Sequence, residues 1–362
     1  MSKQKKTMPV SATVADGVSV LGQSIGDSYA LYHGDCVEVL RGVPDNSVDY
    51  SIFSPPFASL YTYSNSERDM GNVPDDGEFF AQYRYLVAEQ YRTIKPGRLL
   101  SFHCMLLPAS KTRDGYIGLK DFRGDLIRVY QDAGFIFHSE VVIWKDPVTA
   151  MQRTKALGLL YKQLRKDSAM SRQGVPDYLV TMRKPGVNEE PVTKVSEGTQ
   201  EQYDNGQMMT VHEWQHEASP VWNYGESDPP VKQLLDWLRG FFRRPEDTPI
   251  AERFAEPVWM DINPSDTLQY RSAREHQDER HICPLQLEVI RRGIRLWTNP
   301  GDVVLSPFAG IGSELVIALE MGRRAIGAEL KRSYFEQAAR NCLAAEQRAH
   351  QPTLFDLIQE AA

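Results

Sequence analysis

Ser54, Pro55, Pro56 and Phe57 bring a hydroxyl, a free carbonyl and an aromatic face together in one short loop. They follow residues 49–53, whose sequence predicts a β-strand that the prolines end. Each proline fixes its own φ and lacks an N–H donor, so the turn is stiff and its carbonyls remain available as acceptors. Such a loop could bind a planar ring that carries an amine: hydroxyl and carbonyl accept the amine hydrogens while the ring stacks on Phe57. The alternative is an ordinary Pro-Pro turn with a buried Phe.

A second group of residues, far along the chain, has the layout of a site for an adenosine-bearing cofactor. Residues 302–306 predict a strand, 314–321 a helix and 324–329 a second strand that ends at Glu329. Between the first strand and the helix lies a glycine-rich turn with the candidate cofactor-binding residues Phe308, Ala309, Gly310, Gly312 and Ser313. Glycines allow close approach of the backbone, and the acid can accept from both ribose hydroxyls. The Phe-x-Gly-x-Gly spacing favours S-adenosylmethionine over a dinucleotide.

Together these two groups resemble the signatures of the amino-methylating DNA methyltransferases, (Asp/Asn/Ser)-Pro-Pro-(Tyr/Phe) and Phe-x-Gly-x-Gly. Because the catalytic block precedes the cofactor block, the order is similar to that of the β group of this family. The resemblance covers residues 30–186 and 281–345 and includes shorter matches at 34–36, 94–97, 177–185 and 281–286. It implies an α/β class I S-adenosylmethionine-dependent methyltransferase fold, Rossmann-like, with a circularly permuted motif order and an inserted target-recognition region.

The resemblance also implies a reaction, namely direct methyl transfer to the exocyclic amine of a base flipped out of double-stranded DNA. It assigns the catalytic role to Ser54, Pro55, Pro56 and Phe57. Asp35 is a weaker candidate for contact with the cofactor's adenine, and a helix N-cap is the alternative for it. A C5-cytosine enzyme needs a nucleophilic cysteine, usually in a Pro-Cys dipeptide, and no cysteine of this chain follows a proline.

The base and the substrate class remain open at this point. Within the family, Ser-Pro-Pro-(Tyr/Phe) leans toward N4 of cytosine and Asp-Pro-Pro-Tyr toward N6 of adenine, so cytosine is favoured. An RNA or amide methyltransferase and a catalytically weak DNA-binding protein are further alternatives. The last is motivated by Ser306, which stands where the family usually has an Asp that would help hold the ammonium group of the cofactor.

Composition fits a soluble globular protein, with 362 residues, 41% hydrophobic and 25% charged. We expect a cytoplasmic protein without a membrane segment, because the N-terminus lacks a secretory apolar core and no long apolar run follows. The resemblance implies that it is bacterial or phage-encoded. The four cysteines show no metal-ligand spacing, so no metal site is predicted. The net charge of −7 opposes nonspecific polyanion binding, although basic residues cluster in 145–184 and 239–280.

The predicted organisation has five parts. They are an N-terminal arm (1–27), a catalytic half (28–186), a target-recognition region (187–280), a cofactor half (281–345) and a C-terminal tail (346–362). Within the catalytic half, 65–78 predict a polar loop and 79–93 a helix. Arg271 and Arg274 are candidate DNA contacts, with surface ion pairs as the alternative.

The tail carries a short motif of its own. Gln351, Leu354 and Phe355 stand in the Gln-x-x-Leu-Phe arrangement, similar to peptides that dock on bacterial sliding clamps. In the alternative, the two apolar residues fold back onto the catalytic domain. The resemblance also leaves a cognate restriction nuclease open as a partner.

Overall fold

The computed structural model describes residues 20–57, 76–109, 111–145, 165–170, 174–193, 258–259, 262–269, 273 and 285–349. The chain divides into two compact units. One consists of Met1–Ser139, Leu179–Glu190 and Asn263–Ala362, and the other of Glu140–Tyr178 and Pro191–Ile262. Most of the predicted arm and of the recognition region, residues 65–75 of the predicted loop, and the tail from 350 onward lie outside the described residues. The functions assigned to these parts therefore stay predictions.

Eleven strands occur in the described part of the chain. They are β1 (Gly22–Ile25), β2 (Tyr29–His33), β3 (Val48–Phe53), β4 (Ile94–Met105), β5 (Leu107–Ala109), β6 (Gly118–Lys120), β7 (Ile136–Ile143), β8 (Asp177–Arg183), β9 (Val258–Trp259), β10 (Val303–Ser306) and β11 (Arg324–Glu329). The main sheet has the order β1-β2-β11-β10-β3-β4-β8-β7-β9, and β5 and β6 form a separate antiparallel pair.

Seven α-helices accompany these strands among the described residues. They are α1 (Cys36–Arg41), α2 (Asp76–Thr93), α3 (Lys111–Asp114), α4 (Phe122–Asp132), α5 (Leu287–Trp297), α6 (Ser313–Glu320) and α7 (Arg332–Ala349). Helix α2 begins earlier than the sequence predicted, because Asp76 and Glu78 belong to its first turn, where acidic side chains are stabilised by the helix dipole. None of the described helices combines the length and apolarity that crossing a membrane requires.

The centre of the sheet explains how distant parts of the sequence meet. Strand β10 pairs in parallel with β11 on one side and with β3 on the other, so the last strands of the chain lie in the middle of the sheet. On their outer sides, β11 pairs with β2 and β3 pairs with β4, again in parallel. The strand order thus reverses between β3 and β10, which opens a crevice at their carboxyl ends. This arrangement confirms the predicted Rossmann-like α/β architecture with permuted order.

The central strands are buried on both faces. Every residue of β3 and of β10 is buried, as expected for parallel strands covered by helices on both sides of a sheet. A side-chain bond also joins the two strands, because the Ser51 hydroxyl donates to the Leu305 carbonyl at 3.0 Å. The positions where the two strands end are therefore held firmly relative to each other.

A buried ion network ties the other end of these strands together. Arg98 of β4, with 2% of its surface exposed, donates from Nη2 to Asp49 at 2.9 Å and to Asp302 at 3.0 Å. Asp49 also accepts from Lys95 Nζ at 2.7 Å and from the Val303 N–H at 2.8 Å. The network thereby joins β3, β4 and β10. Carboxylate oxygens of Asp49, Asp302 and Glu190 lie within 4.8 Å of one another, a spacing that could suit a metal ion, but Arg98 and Lys95 already neutralise them.

Replacing Arg98 with Met should lower the free energy of unfolding by about 3–5 kcal/mol, because the Asp49 and Asp302 carboxylates would lose their buried counter-ion. Urea unfolding followed by circular dichroism measures the loss. Arg128→Met is the matched control. Arg128 pairs with Asp125 at an exposed position, so its replacement should change the free energy of unfolding very little. Equal unfolding midpoints for the two variants would contradict the role given to the network.

Candidate active site

The loop of Ser54, Pro55, Pro56 and Phe57 leaves β3 at its carboxyl end, on the edge of the sheet where the crevice opens. Pro55 is buried, whereas Ser54, Pro56 and Phe57 are partly exposed. The loop is thus anchored by the buried strand before it and by one proline, while Ser54 and Phe57 keep part of their surface exposed.

Ser54 has a partner that the sequence analysis missed. Its Oγ lies 2.9 Å from Nδ1 of His103, a residue of β4 with 7% of its surface exposed. The parallel register pairs Phe53 with Phe102, so Ser54 and His103 follow at equivalent positions of neighbouring strands. The available signal was that His103 directly follows residues 99–102, whose sequence favours a buried strand. The contact itself depends on the register between β3 and β4, which the sequence does not specify.

The ring of Phe57 belongs to an aromatic cluster. Its centroid lies 6.3 Å from that of Phe122, the first residue of α4. Phe122 in turn lies 5.8 Å from both Phe79 and Phe80 of α2. These contacts limit the movement of Phe57, and its partial exposure leaves ring surface available to a ligand.

The two groups of candidate residues meet through a pair of aromatic rings. Phe53, the last residue of β3, lies with its ring centroid 5.9 Å from that of Phe308 in the glycine-rich turn. The turn follows β10, the neighbour of β3 in the sheet. The structure therefore brings the Ser54–Phe57 loop and the glycine-rich turn to the same crevice, as their positions after strands predict.

Glu329 is fixed at the end of β11 by backbone donors. The Gly310 N–H donates to its Oε2 at 2.8 Å and the Lys331 N–H to its Oε1 at 2.8 Å. The Ala309 N–H also donates to the Ala328 carbonyl at 2.9 Å, which holds the turn against β11. A carboxylate oxygen can accept more than one hydrogen bond, so Glu329 keeps acceptor capacity in a fixed orientation.

The two glycines of the turn differ in what surrounds them. Both have positive φ, +54° at Gly310 and +89° at Gly312, a conformation that favours glycine. A Cβ built on Gly310 would meet no atom of the described residues within 4 Å, so among these residues that side of the turn faces open space. A Cβ on Gly312 would lie 3.2 Å from Cβ of Ala338, so Gly312 allows the start of α6 to pack against α7.

Buried polar groups surround the turn. The hydroxyls of Ser306 and Ser313 are buried and have no hydrogen-bond partner among the described residues. Burial also raises the pKa of Glu314 to about 8, and nearby Glu329 contributes in the same direction. Glu314 is therefore mostly protonated at neutral pH. All three groups belong to the strand end and the helix start that flank the glycine-rich turn.

Asp35 caps a helix. Its Oδ1 accepts from the N–H groups of Val37 and Glu38 at 2.9 and 3.1 Å, which makes it the N-cap of α1. The preceding Gly34 donates its N–H to the Glu329 carbonyl at 3.0 Å, so Asp35 lies near the end of β11. The structure thus shows Asp35 as a helix N-cap, the alternative given in the sequence analysis. Contact of Asp35 with a cofactor stays a prediction.

Two groups of predicted residues fall outside the described part of the chain. They are the candidate DNA contacts Arg271 and Arg274, and the tail residues Gln351, Leu354 and Phe355. Both assignments stay predictions.

Comparison with known proteins points to one family. The family model N6_N4_Mtase, described as DNA methylase, matches residues 48–340. The type II methyltransferase M.BglII of Bacillus subtilis is 22% identical over 311 residues, which are 85% of this chain and 67% of that protein. The type II methyltransferase M.BamHI of Bacillus amyloliquefaciens is 24% identical over 302 residues, which are 83% of this chain but only 54% of that protein.

A solved structure has the same fold. TTHA0409 of Thermus thermophilus, crystallised in complex with S-adenosyl-L-methionine, superposes with a TM-score of 0.53 and 21% sequence identity. The match covers 88% of this chain and 96% of that one. With the observed strand order, this likeness confirms the predicted class I methyltransferase fold.

Proposed function

Because the chain belongs to the N6/N4 DNA methylase family, as its motifs predicted, we propose that it methylates the exocyclic amine of a base in double-stranded DNA, with N4 of cytosine as the target. S-adenosylmethionine is the cofactor and supplies the methyl group. One observation carries the proposal: the Ser54–Phe57 loop and the glycine-rich turn share one crevice, joined by the contact between Phe53 and Phe308. Adenine N6 is the alternative target.

The residues around the glycine-rich turn fit this cofactor. The open space beside Gly310 admits a ligand against the backbone, and the carboxylate of Glu329 is held ready to accept from ribose hydroxyls. The hydroxyls of Ser306 and Ser313, which have no hydrogen-bond partner in the described ranges, could bond to the cofactor as well. No carboxylate stands at position 306, so we expect the cofactor's ammonium group to be held mainly by neutral acceptors.

The catalytic loop would act by binding and orientation. The amine lone pair of a base is conjugated with the ring, which makes it a poor nucleophile. Hydrogen bonds from the amine to Ser54 Oγ and the Pro55 carbonyl would favour the pyramidal geometry in which that lone pair can attack. Phe57 would stack on the base after it is flipped from the duplex. The methylated nitrogen then releases one proton to water, and no covalent enzyme intermediate is required.

The choice of cytosine rests on the family, in which Ser-Pro-Pro-(Tyr/Phe) leans toward N4 of cytosine. Ser54 is a weaker acceptor than the Asp of Asp-Pro-Pro-Tyr, which suits the more polar cytosine amine. The other partners named from the sequence stay proposals: recognition of a specific site by 187–280, docking on a sliding clamp through the tail, and a cognate nuclease. A cytoplasmic location is likewise a proposal.

The decisive experiment is nucleoside analysis of DNA from a host that lacks its own DNA methyltransferases and expresses the chain. We expect N4-methyldeoxycytidine by mass spectrometry, and none from cells that carry the empty vector. N6-methyldeoxyadenosine instead would move the target to adenine. If neither appears although the purified protein binds S-adenosylmethionine in a calorimetric titration, the proposed DNA methylation is wrong.

A further inference from the structure

Ser54 carries one hydrogen on its hydroxyl, and the proposed function needs that hydrogen directed away from the base. A serine hydroxyl offers one donor and two acceptor lone pairs, whereas an exocyclic amine offers hydrogens. If the Ser54 hydrogen pointed toward the amine, two donors would face each other and the hydroxyl could not accept. An acceptor on the far side of Ser54 would remove this conflict.

His103 is placed to be that acceptor. The distance of 2.9 Å between Ser54 Oγ and His103 Nδ1 is that of a hydrogen bond. Since a neutral imidazole has one donor and one acceptor nitrogen, the tautomer with its hydrogen on Nε2 makes Nδ1 the acceptor. In that state the Ser54 hydrogen is bound, and the oxygen lone pairs are left to accept.

The strand that carries His103 is held in place. Its neighbours in β4, Phe102 and Cys104, are fully buried, and β4 is paired with β3 up to Phe53 and Phe102. The ring of Phe102 also stacks on Tyr130 of α4, with centroids 5.2 Å apart. A functional group supported in this way keeps its partner in one orientation, which is what a catalytic hydroxyl requires.

We propose that His103 is a positioning residue for the methyl-transfer reaction: it accepts the Ser54 hydroxyl hydrogen at Nδ1 and leaves both Oγ lone pairs to accept from the target amine. The inference rests on the proposed function, because it assigns the Ser54 hydroxyl an acceptor role toward an amine. It competes with a purely structural role, in which His103 satisfies a partly buried serine and contributes only to folding.

A set of His103 variants separates these roles. His103→Leu removes the acceptor and should lower kcat by about 10- to 100-fold, by analogy with the loss of a hydrogen-bond partner behind a metal ligand. KM for S-adenosylmethionine and for DNA should stay within about twofold, because His103 touches neither in this scheme. His103→Asn, whose amide oxygen can stand near the position of Nδ1, should restore most of kcat. His103→Gln, which places its oxygen farther out, should not.

A double-mutant cycle tests the dependence on the hydroxyl. In a Ser54→Ala background, His103→Leu should change kcat by less than about twofold, because there is no hydroxyl hydrogen left to accept. His138→Leu is the matched control, since His138 is exposed and contacts Ser139 at 2.8 Å outside the site. Melting curves and calorimetric titration of S-adenosylmethionine confirm that each variant is folded.

The outcomes are distinguishable. An active wild type with an unchanged kcat in His103→Leu would overturn the inference and leave the proposed function standing. If His103→Leu lowers kcat by the same factor in the wild type and in the Ser54→Ala background, the inference is wrong as well and a structural role is favoured. If His103→Leu does not fold, the comparison of His103→Asn with His103→Gln decides between the roles. Equal kcat values for these two variants would refute the acceptor role. A wild type without any methyl transfer would instead refute the proposed function itself.

Discussion

Replacing Phe57 with Ala is expected to lower the rate of methyl transfer by about 100-fold and to leave S-adenosylmethionine affinity within about twofold. Stacking of a base on an aromatic side chain contributes about 1–3 kcal/mol by alanine substitution, and a base that is not held flat also loses its alignment with the methyl donor. Cofactor affinity should be spared because Phe53, not Phe57, supplies the ring contact with Phe308 of the glycine-rich turn. Single-turnover rates and calorimetric titration measure the two effects separately.

Two further variants control for the aromatic cluster. Phe57→Tyr keeps the ring and should retain most of the rate. Phe80→Ala removes a ring that packs on Phe122 and changes no residue of the catalytic loop. Its rate of methyl transfer therefore shows how much of the loss comes from loosening the aromatic cluster. An unchanged turnover in Phe57→Ala, or a loss no greater than that of Phe80→Ala, would exclude base stacking by Phe57.

Much of the site could be predicted because its signals are local. The position where a functional loop begins is indicated by Ser-Pro-Pro-Phe after one strand and by a glycine-rich turn after another. Parallel strands place their carboxyl ends at one edge of a sheet, which is why the loops after β3 and β10 can share a crevice. The pairing of β3 with β10 and the contact between Phe53 and Phe308, which bring the loops together, are seen only in the structure.

What escaped prediction depends on contacts between elements. His103 lies in a strand whose register against β3 decides which residue meets Ser54, and the sequence of one strand carries no information about that register. Gly310 and Gly312 look equivalent in a Phe-x-Gly-x-Gly motif, yet only the packing of α7 reveals that Gly312 makes room for Ala338. Asp35 had two interpretations, and the capping bonds to Val37 and Glu38 are visible only in three dimensions.

The difference between the two glycines leads to the second large effect. Gly310→Val is expected to weaken S-adenosylmethionine binding by at least about 100-fold, because the added side chain would occupy the open space beside the turn and keep a ligand away from the backbone. The substitution also strains the backbone, since a β-branched residue is disfavoured at a φ of +54°. A loss of affinity therefore needs a control that carries the same strain at another place.

Gly322 provides that control. Its φ is +70°, and a Cβ built on it would meet no atom within 4 Å in the part of the chain that the structure describes, as at Gly310. It lies between α6 and the start of β11, at the opposite end of that strand from Glu329. Gly322→Val should therefore lose thermal stability much as Gly310→Val does and yet bind S-adenosylmethionine like the wild type. Calorimetric titration and melting curves on both variants give the comparison. If affinity falls equally in the two, backbone strain explains the loss; if Gly310→Val keeps full affinity, the cofactor does not bind against this turn.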